Sequence, residues 1–162
     1  MTPGPPLRVV SGGQSGVDRA ALDAALGAGL PVGGWCPAGR LSEGGPVPAR
    51  YPLRETASAD PAERTRLNVR DSGATLVLPP GPPAGGTALT VRLAEALGRP
   101  VRVVDPAREG PGPTAAWVAG LGRLLTLNVA GPRESEAPGV YRIARAWLAD
   151  LFGALATGSA TA

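Results

Sequence analysis

The chain contains no lysine and no histidine, and it has one cysteine, three Trp, two Tyr and one Phe among 162 residues. Without those two residue types there is no Ser-His-Asp or Cys-His pair, no Schiff-base or Walker lysine, and no histidine cluster for zinc or non-haem iron. Any chemistry falls to carboxylates, arginines and backbone dipoles. The lone thiol, Cys36, excludes an internal disulfide, agrees with a reducing compartment, and reads as a small buried hydrophobe. Scarce aromatics leave few platforms for stacking bases, and the 16 basic residues, all arginine, form no dense stripe, so nucleic acid is not the expected partner. No apolar run reaches the length of a membrane span, and Met1 to Pro6 lack the charged and apolar regions of a signal peptide. The expected location is cytoplasmic, away from membranes. A pI near 10.0 overstates the basicity, because arginine holds its charge to very high pH while the net charge is only +3.

What is present is a chain that is 43% hydrophobic, with 24 Gly and 19 Pro, of a length suited to one domain with a real core. Short apolar runs rich in Val or Leu predict strands at Leu7–Val10, Pro31–Trp35, Thr75–Leu78, Val101–Val104 and Leu124–Val129. Such runs suit strands buried on both faces of a parallel sheet. Between them lie apolar stripes at helical spacing: Val17, Ala20, Ala21, Ala24 and Ala28; Leu89, Leu93, Ala96 and Leu97; Val140, Ile143, Ala144, Trp147, Leu148 and Leu151. Asp60, Pro61 and Glu63 form a helix-start signature, predicting a short helix over Ala62–Val69. The succession is βαβ, hence an α/β domain with a doubly wound, mostly parallel open sheet flanked by helices. Residues 1–6 read as a flexible N-terminus, 7–155 as the domain and 156–162 as a disordered tail. Residues 36–58 form a Gly/Pro-rich stretch too long for a simple connector, and such loops often serve function.

Two strand-to-helix junctions carry the strongest chemical signal. Ser11-Gly12-Gly13-Gln14-Ser15-Gly16 joins the first strand to the first helix, and Gly85-Gly86-Thr87 opens a later one. Small residues let backbone N–H groups approach an anion where a helix start already offers unpaired donors and the positive end of its dipole. Phosphate is the expected guest, with Gly12, Gly13 and Gly16 holding one anionic portion and Gly85, Gly86 and Thr87 another, or the same phosphate from the opposite side. The first loop reads Ser-x-Gly-x-x-Gly, and Trp35 and Cys36 stand where an acidic ribose partner would end the second strand, which argues against NAD. Residues after each strand should share one rim of the sheet. Arg133 follows the last strand, and Arg70 and Asn68 sit on the short helix. Arg66 and Arg70, four apart, suit either an anion clamp or a solvated face, while Asp18 at the first helix start complements the dipole structurally.

Ser-Gly-Gly-Gln-Ser-Gly-Val-Asp-Arg-Ala-Ala-Leu-Asp (11–23), Gly-Gly-Trp-Cys-Pro-Ala-Gly-Arg (33–40), Tyr-Pro-Leu-Arg-Glu-Thr (51–56), Arg-Thr-Arg-Leu-Asn-Val-Arg-Asp-Ser (64–72), Gly-Gly-Thr (85–87) and Asn-Val-Ala-Gly-Pro-Arg-Glu-Ser (128–135) follow one another along the chain. Together these blocks resemble the molybdenum carrier proteins, YpsA-like members of the SLOG superfamily of Rossmann-like ligand binders. The resemblance implies a Rossmann-like fold, a homo-oligomer, and a phosphate-bearing small ligand, with molybdenum cofactor (molybdopterin) as the candidate and no metal ligated by the protein itself. Site residues expected on this reading are Gly12, Gly13, Gln14, Ser15, Gly16, Asn68, Arg70, Gly85, Gly86, Thr87 and Arg133. Related SLOG proteins include phosphoribohydrolases with a Pro-Gly-Gly-x-Gly-Thr-x-x-Glu motif, in which Thr87 here would match the threonine and Thr90 would stand at the glutamate. A nucleotide hydrolase or a nucleotide sensor is therefore the alternative, and a hydrolase would need Glu55 or Glu134 as its carboxylate.

Overall fold

A computed structural model describes residues 7–160. The expectation for residues 1–6 falls outside these, as do residues 161–162. The main sheet has five strands, all parallel, in the order β2 (Val32–Gly33), β1 (Leu7–Val10), β7 (Leu125–Ala130), β5 (Ala74–Val77), β6 (Val101–Val103). Five α-helices follow the chain as α1 (Val17–Gly27), α2 (Pro61–Arg70), α3 (Gly85–Ala96), α4 (Gly112–Ala119) and α5 (Val140–Ala160). Helices α1, α4 and α5 pack on one face, where Val9, Leu76, Leu127, Leu148 and Leu151 are fully buried, and α2 packs with α3 on the other. Truncating a fully buried leucine such as Leu76 to alanine in a core of this kind costs about 2–5 kcal/mol. Helix α5 runs through Ala160, so residues 156–160 extend a helix where the sequence predicts disordered tail.

Counting the five strands from β7 and continuing through the N-terminus turns the sheet order into 3-2-1-4-5, the succession of a doubly wound sheet. The last strand of this chain thus stands where such sheets begin. The order reverses between β7 and β5, whose following helices, α5 and α3, lie on opposite faces. That crevice, beyond the carboxyl ends of the strands, is where this class of sheet binds ligands.

The strand expected over Pro31–Trp35 is two strands. Gly34 takes φ 125°, and a Cβ there would lie 2.3 Å from the Ser11 carbonyl oxygen, so the chain turns out of the sheet at the one residue that permits it. After the turn, β3 (Trp35–Cys36) pairs with β4 (Arg54–Glu55) in a separate two-stranded sheet. The buried Asn68 side chain clips this excursion to α2, its Oδ1 accepting from Trp35 N at 2.8 Å and its Nδ2 donating to Trp35 O at 3.0 Å. Helix α2 starts where the sequence predicts, with Asp60 accepting from Ala62 N at 3.0 Å; Glu63 accepts from Ser58 N rather than closing a capping box.

The segment from Pro37 to Leu53 has few apolar side chains to fold around, and Arg40 supplies its centre. Its guanidinium donates to the carbonyls of Val47, Pro48, Tyr51 and Leu53 at 2.8–3.2 Å. Val47, Tyr51 and Leu53 then join Leu22 and Cys36 in a small second core.

Candidate functional site

The crevice between β7 and β5 opens into a cavity of about 330 Å³ built from four segments. Gly12 and Gln14 come from the β1–α1 loop; Pro61, Arg64, Thr65 and Asn68 from one face of α2; Gly85, Gly86, Thr87 and Thr90 from the start of α3; and Asn128 to Gly131, with Arg133 and Glu136, from the end of β7 and its loop. Asn128 pairs in register with both Val10 and Thr75, which sets it at the centre of the floor.

Helix α3 brings its N-terminus into this cavity without a side-chain cap: Ala84 precedes it. The N–H groups of Thr87 and Ala88 bond back to the Ala84 carbonyl at 3.1 and 3.2 Å. Those of Gly85 and Gly86, at the first helical positions, have no acceptor within the helix and carry the positive end of its dipole. A Cβ at Gly86 would meet nothing within 4 Å, and one at Gly85 would meet only Glu136 Oε2, at 3.9 Å.

The first loop is organised differently. The carboxylate of Asp18, at the start of α1, accepts from Gln14 N at 3.2 Å, Ser15 N is taken by Gln14 Oε1 at 2.9 Å, and Val17 N by the Pro132 carbonyl at 3.2 Å. An acidic side chain already sits where an anion would go. The loop's glycines serve close packing: a Cβ on Gly13 would strike Leu53, and one on Gly16 would lie 2.4 Å from the Pro132 carbonyl oxygen. Asp18 is buried, and desolvation pushes its pKa up against the pull of Arg64, whose Nη1 stands 3.4 Å away. Arg64 also donates to the Gly12 carbonyl at 3.0 Å.

The structure therefore gathers Gly12, Gln14, Asn68, Gly85, Gly86, Thr87 and Arg133 around one cavity, and leaves Gly13, Ser15, Gly16 and Arg70 off its wall. Arg70 is half exposed and paired with its neighbour Asp71 at 2.7 Å. Glu55 accepts from Gly39 N on the separate small sheet, and Glu134 accepts from Gly139 N and Tyr141 N at the start of α5, so neither carboxylate lines the cavity. Asn68 spends its amide on the Trp35 backbone. Sequence reasoning places Arg64 in the charged cluster of the short helix but favours Arg70 as the charge partner, although a signal pointed to Arg64: Asn68 marks the inner face of α2, and the residue four before it shares that face. Thr90, Asn128 and Glu136 were not foreseen, and Asp18 lines the cavity as well as serving its helix.

Each arginine of the cavity has a carboxylate beside it. Arg64 has Asp18, and Arg133 has Glu136 at 3.2 Å and Glu43 at 3.9 Å. Among the described residues the Gly85 and Gly86 amides donate to no protein acceptor, with the Glu136 carboxylate nearby, 3.9 Å from the Cβ position of Gly85. Among the described residues no three His, Cys, Asp or Glu side chains lie close enough to hold a metal ion, and no helix is long and apolar enough to cross a membrane.

No curated protein matches the chain. Among solved structures it is similar to the crystal structure of a "Putative molybdenum carrier protein" from Syntrophus aciditrophicus SB, at 39% identity and TM-score 0.84, covering 93% of this chain and 97% of that one. The model of the circularly permutated YpsA SLOG family matches residues 9–152, in agreement with a sheet whose conventional first strand comes last. The chain belongs to the circularly permutated YpsA SLOG family.

Proposed function

We propose that this chain binds a phosphate-bearing small molecule in the β7–β5 crevice and acts as a carrier, with molybdenum cofactor as the cargo. The observation that carries the reading is the uncapped start of α3, where the Gly85 and Gly86 amides face an open cavity that Arg64 and Arg133 also line. Phosphate meets both needs of that site, accepting from main-chain amides and from guanidinium groups. The molybdenum part rests on the name of the similar Syntrophus protein, and molybdopterin offers a phosphate through which such a site would hold it. A molybdenum cargo would be gripped through its anionic groups, since the cavity offers no cysteine or histidine ligand. Assembly into a homo-oligomer in the cytoplasm belongs to the same reading.

The test is calorimetric titration with AMP, ADP-ribose and molybdopterin, paired with molybdenum analysis of freshly purified protein. The reading expects saturable binding of at least one phosphate-bearing compound and none of its dephosphorylated counterpart; equal binding of the two would overturn it.

A second reading, hydrolysis of a nucleoside monophosphate, is favoured by one observation. Asp18 is a buried carboxyl with a raised pKa on the cavity wall, beside an arginine, which is the setting of a proton-handling group. Release of free base from AMP, abolished in Asp18→Asn, would establish it.

A further inference from the structure

Beside the main cavity a second cluster of donors is already holding an anion, the side chain of Glu43. Ser15 Oγ donates to Glu43 Oε2 at 2.5 Å, Ser135 N donates to the same oxygen at 3.0 Å, and Ser135 Oγ donates to Oε1 at 2.5 Å. Arg133 Nε lies 3.9 Å from Oε1. The donors come from two strand-to-helix loops, ahead of α1 and α5, while the acceptor reaches them from the Pro37–Leu53 segment. Hydroxyls, a main-chain amide and a guanidinium converging on two oxygens make up the donor set that also recognises a phosphoryl group.

Two residues join this cluster to the cavity. Gln14 lines the cavity and its Oε1 accepts from Glu43 N at 2.9 Å; Arg133 lines the cavity and reaches toward the Glu43 carboxylate. The segment that bears Glu43 borders the first loop on one side and open space on the other. Its near side is tied by Arg19, which donates to Ser42 Oγ at 2.7 Å and to the Gly13 carbonyl at 3.1 Å. Gly44 and Gly45 follow with φ 80° and 130°, and a Cβ on either would meet nothing within 4 Å. Besides the carboxylate's own bonds, the tip is held by Glu43 N on Gln14 Oε1 and by Ser42 Oγ, which donates to the Gly45 carbonyl.

We propose that the Ser15–Ser135–Arg133 cluster is a second anion subsite, which takes a further phosphoryl group of a ligand seated against α3 and which Glu43 fills as an internal stand-in until that ligand arrives. The inference rests on the α3 cavity as the primary site and narrows the ligand class to compounds with two or more anionic groups. The donors hold the Glu43 carboxyl down to about 2, the Ser135 hydroxyl contributing most, so at neutral pH the stand-in is fully ionised. A doubly charged phosphoryl group offers the same donors a denser acceptor and leaves Glu43 free in solvent.

The experiment is titration with inorganic phosphate of four folded proteins: wild type, Glu43→Ala, Glu43→Ala with Ser135→Ala, and Gly86→Leu with Glu43→Ala. The expected result is one phosphate per chain in the wild type, two in Glu43→Ala, one when Ser135 is also removed, and one when the α3 site is blocked. Should Glu43→Ala bind no more phosphate than the wild type, the subsite does not exist. A wild type and a Gly86→Leu/Glu43→Ala protein that bind none and one would sink the α3 reading and leave the subsite standing. If Glu43→Ala fails to fold, amide hydrogen exchange over residues 41–46 of the wild type with ADP, which carries two phosphoryl groups, decides: acceleration in excess ADP supports displacement of Glu43, and an unchanged or slowed rate contradicts it.

Discussion

Arg64 Nη1 lies 3.4 Å from Asp18 Oδ2 and 3.0 Å from the Gly12 carbonyl, bridging the loop after β1 to α2 across the cavity wall. Both side chains are largely buried, at 13% and 8% exposure, so the pair stands where water gives little compensation for an unpartnered charge. It tightens the site from within, and the Asp18 carboxylate it holds takes the Gln14 amide.

Arg64→Met should therefore destabilise the fold by about 3 kcal/mol, because it leaves the Asp18 carboxylate buried without a cation. Adding Asp18→Asn should recover most of the loss. Urea unfolding of the two single variants and the double variant measures this as a coupling energy.

Asp18 and Asp23 should respond to pH in opposite senses. Burial raises the pKa of Asp18, so its share of stability is complete below the unfolded carboxyl value, about 3.9, and is lost as pH rises through the folded one. Burial also pushes on Asp23, but hydrogen bonds from the Tyr141 and Tyr51 hydroxyls, at 2.5 and 2.7 Å, bring its pKa down on balance. Its stabilisation is complete above about 3.9 and is lost as pH falls through the lower folded value. Unfolding free energies of Asp18→Asn and Asp23→Asn, each compared with wild type between pH 3 and pH 7, should show the first variant gaining on wild type as pH rises and the second falling behind.

Arg40→Lys should cost about 2–4 kcal/mol and loosen residues 37–53, since one ammonium on a flexible stem cannot replace a fork bonded to four carbonyls. Limited proteolysis within that segment reports the loosening. A native-like cleavage rate would show that Arg40 is not its organiser.

Most of the scaffold was legible in the sequence, because apolar runs and helical stripes report burial locally. The five main strands, the Asp60 start of α2 and the glycine opening of α3 all follow from that kind of signal. The split at Gly34 was not legible, since a single turn residue inside a Val/Gly run leaves the pattern unchanged and its cause is a distant carbonyl, that of Ser11. Nor was the role of the first glycine loop: Gly13 and Gly16 are small because Leu53 and the Pro132 carbonyl press on them, contacts that span dozens of residues. Glu43 in a Gly/Pro-rich stretch carries no periodicity at all, and only the folded chain brings it to Ser15 and Ser135.

The central claim is that the open amides at the start of α3 receive the ligand's phosphate, and Gly86→Leu tests it most directly. Position 86 has an ordinary helical backbone with open space around it, so leucine should leave the melting temperature at or above that of wild type while covering the amides. Calorimetric titration with AMP should then show at least a tenfold loss of affinity relative to wild type. Undiminished affinity in the folded variant would contradict the account.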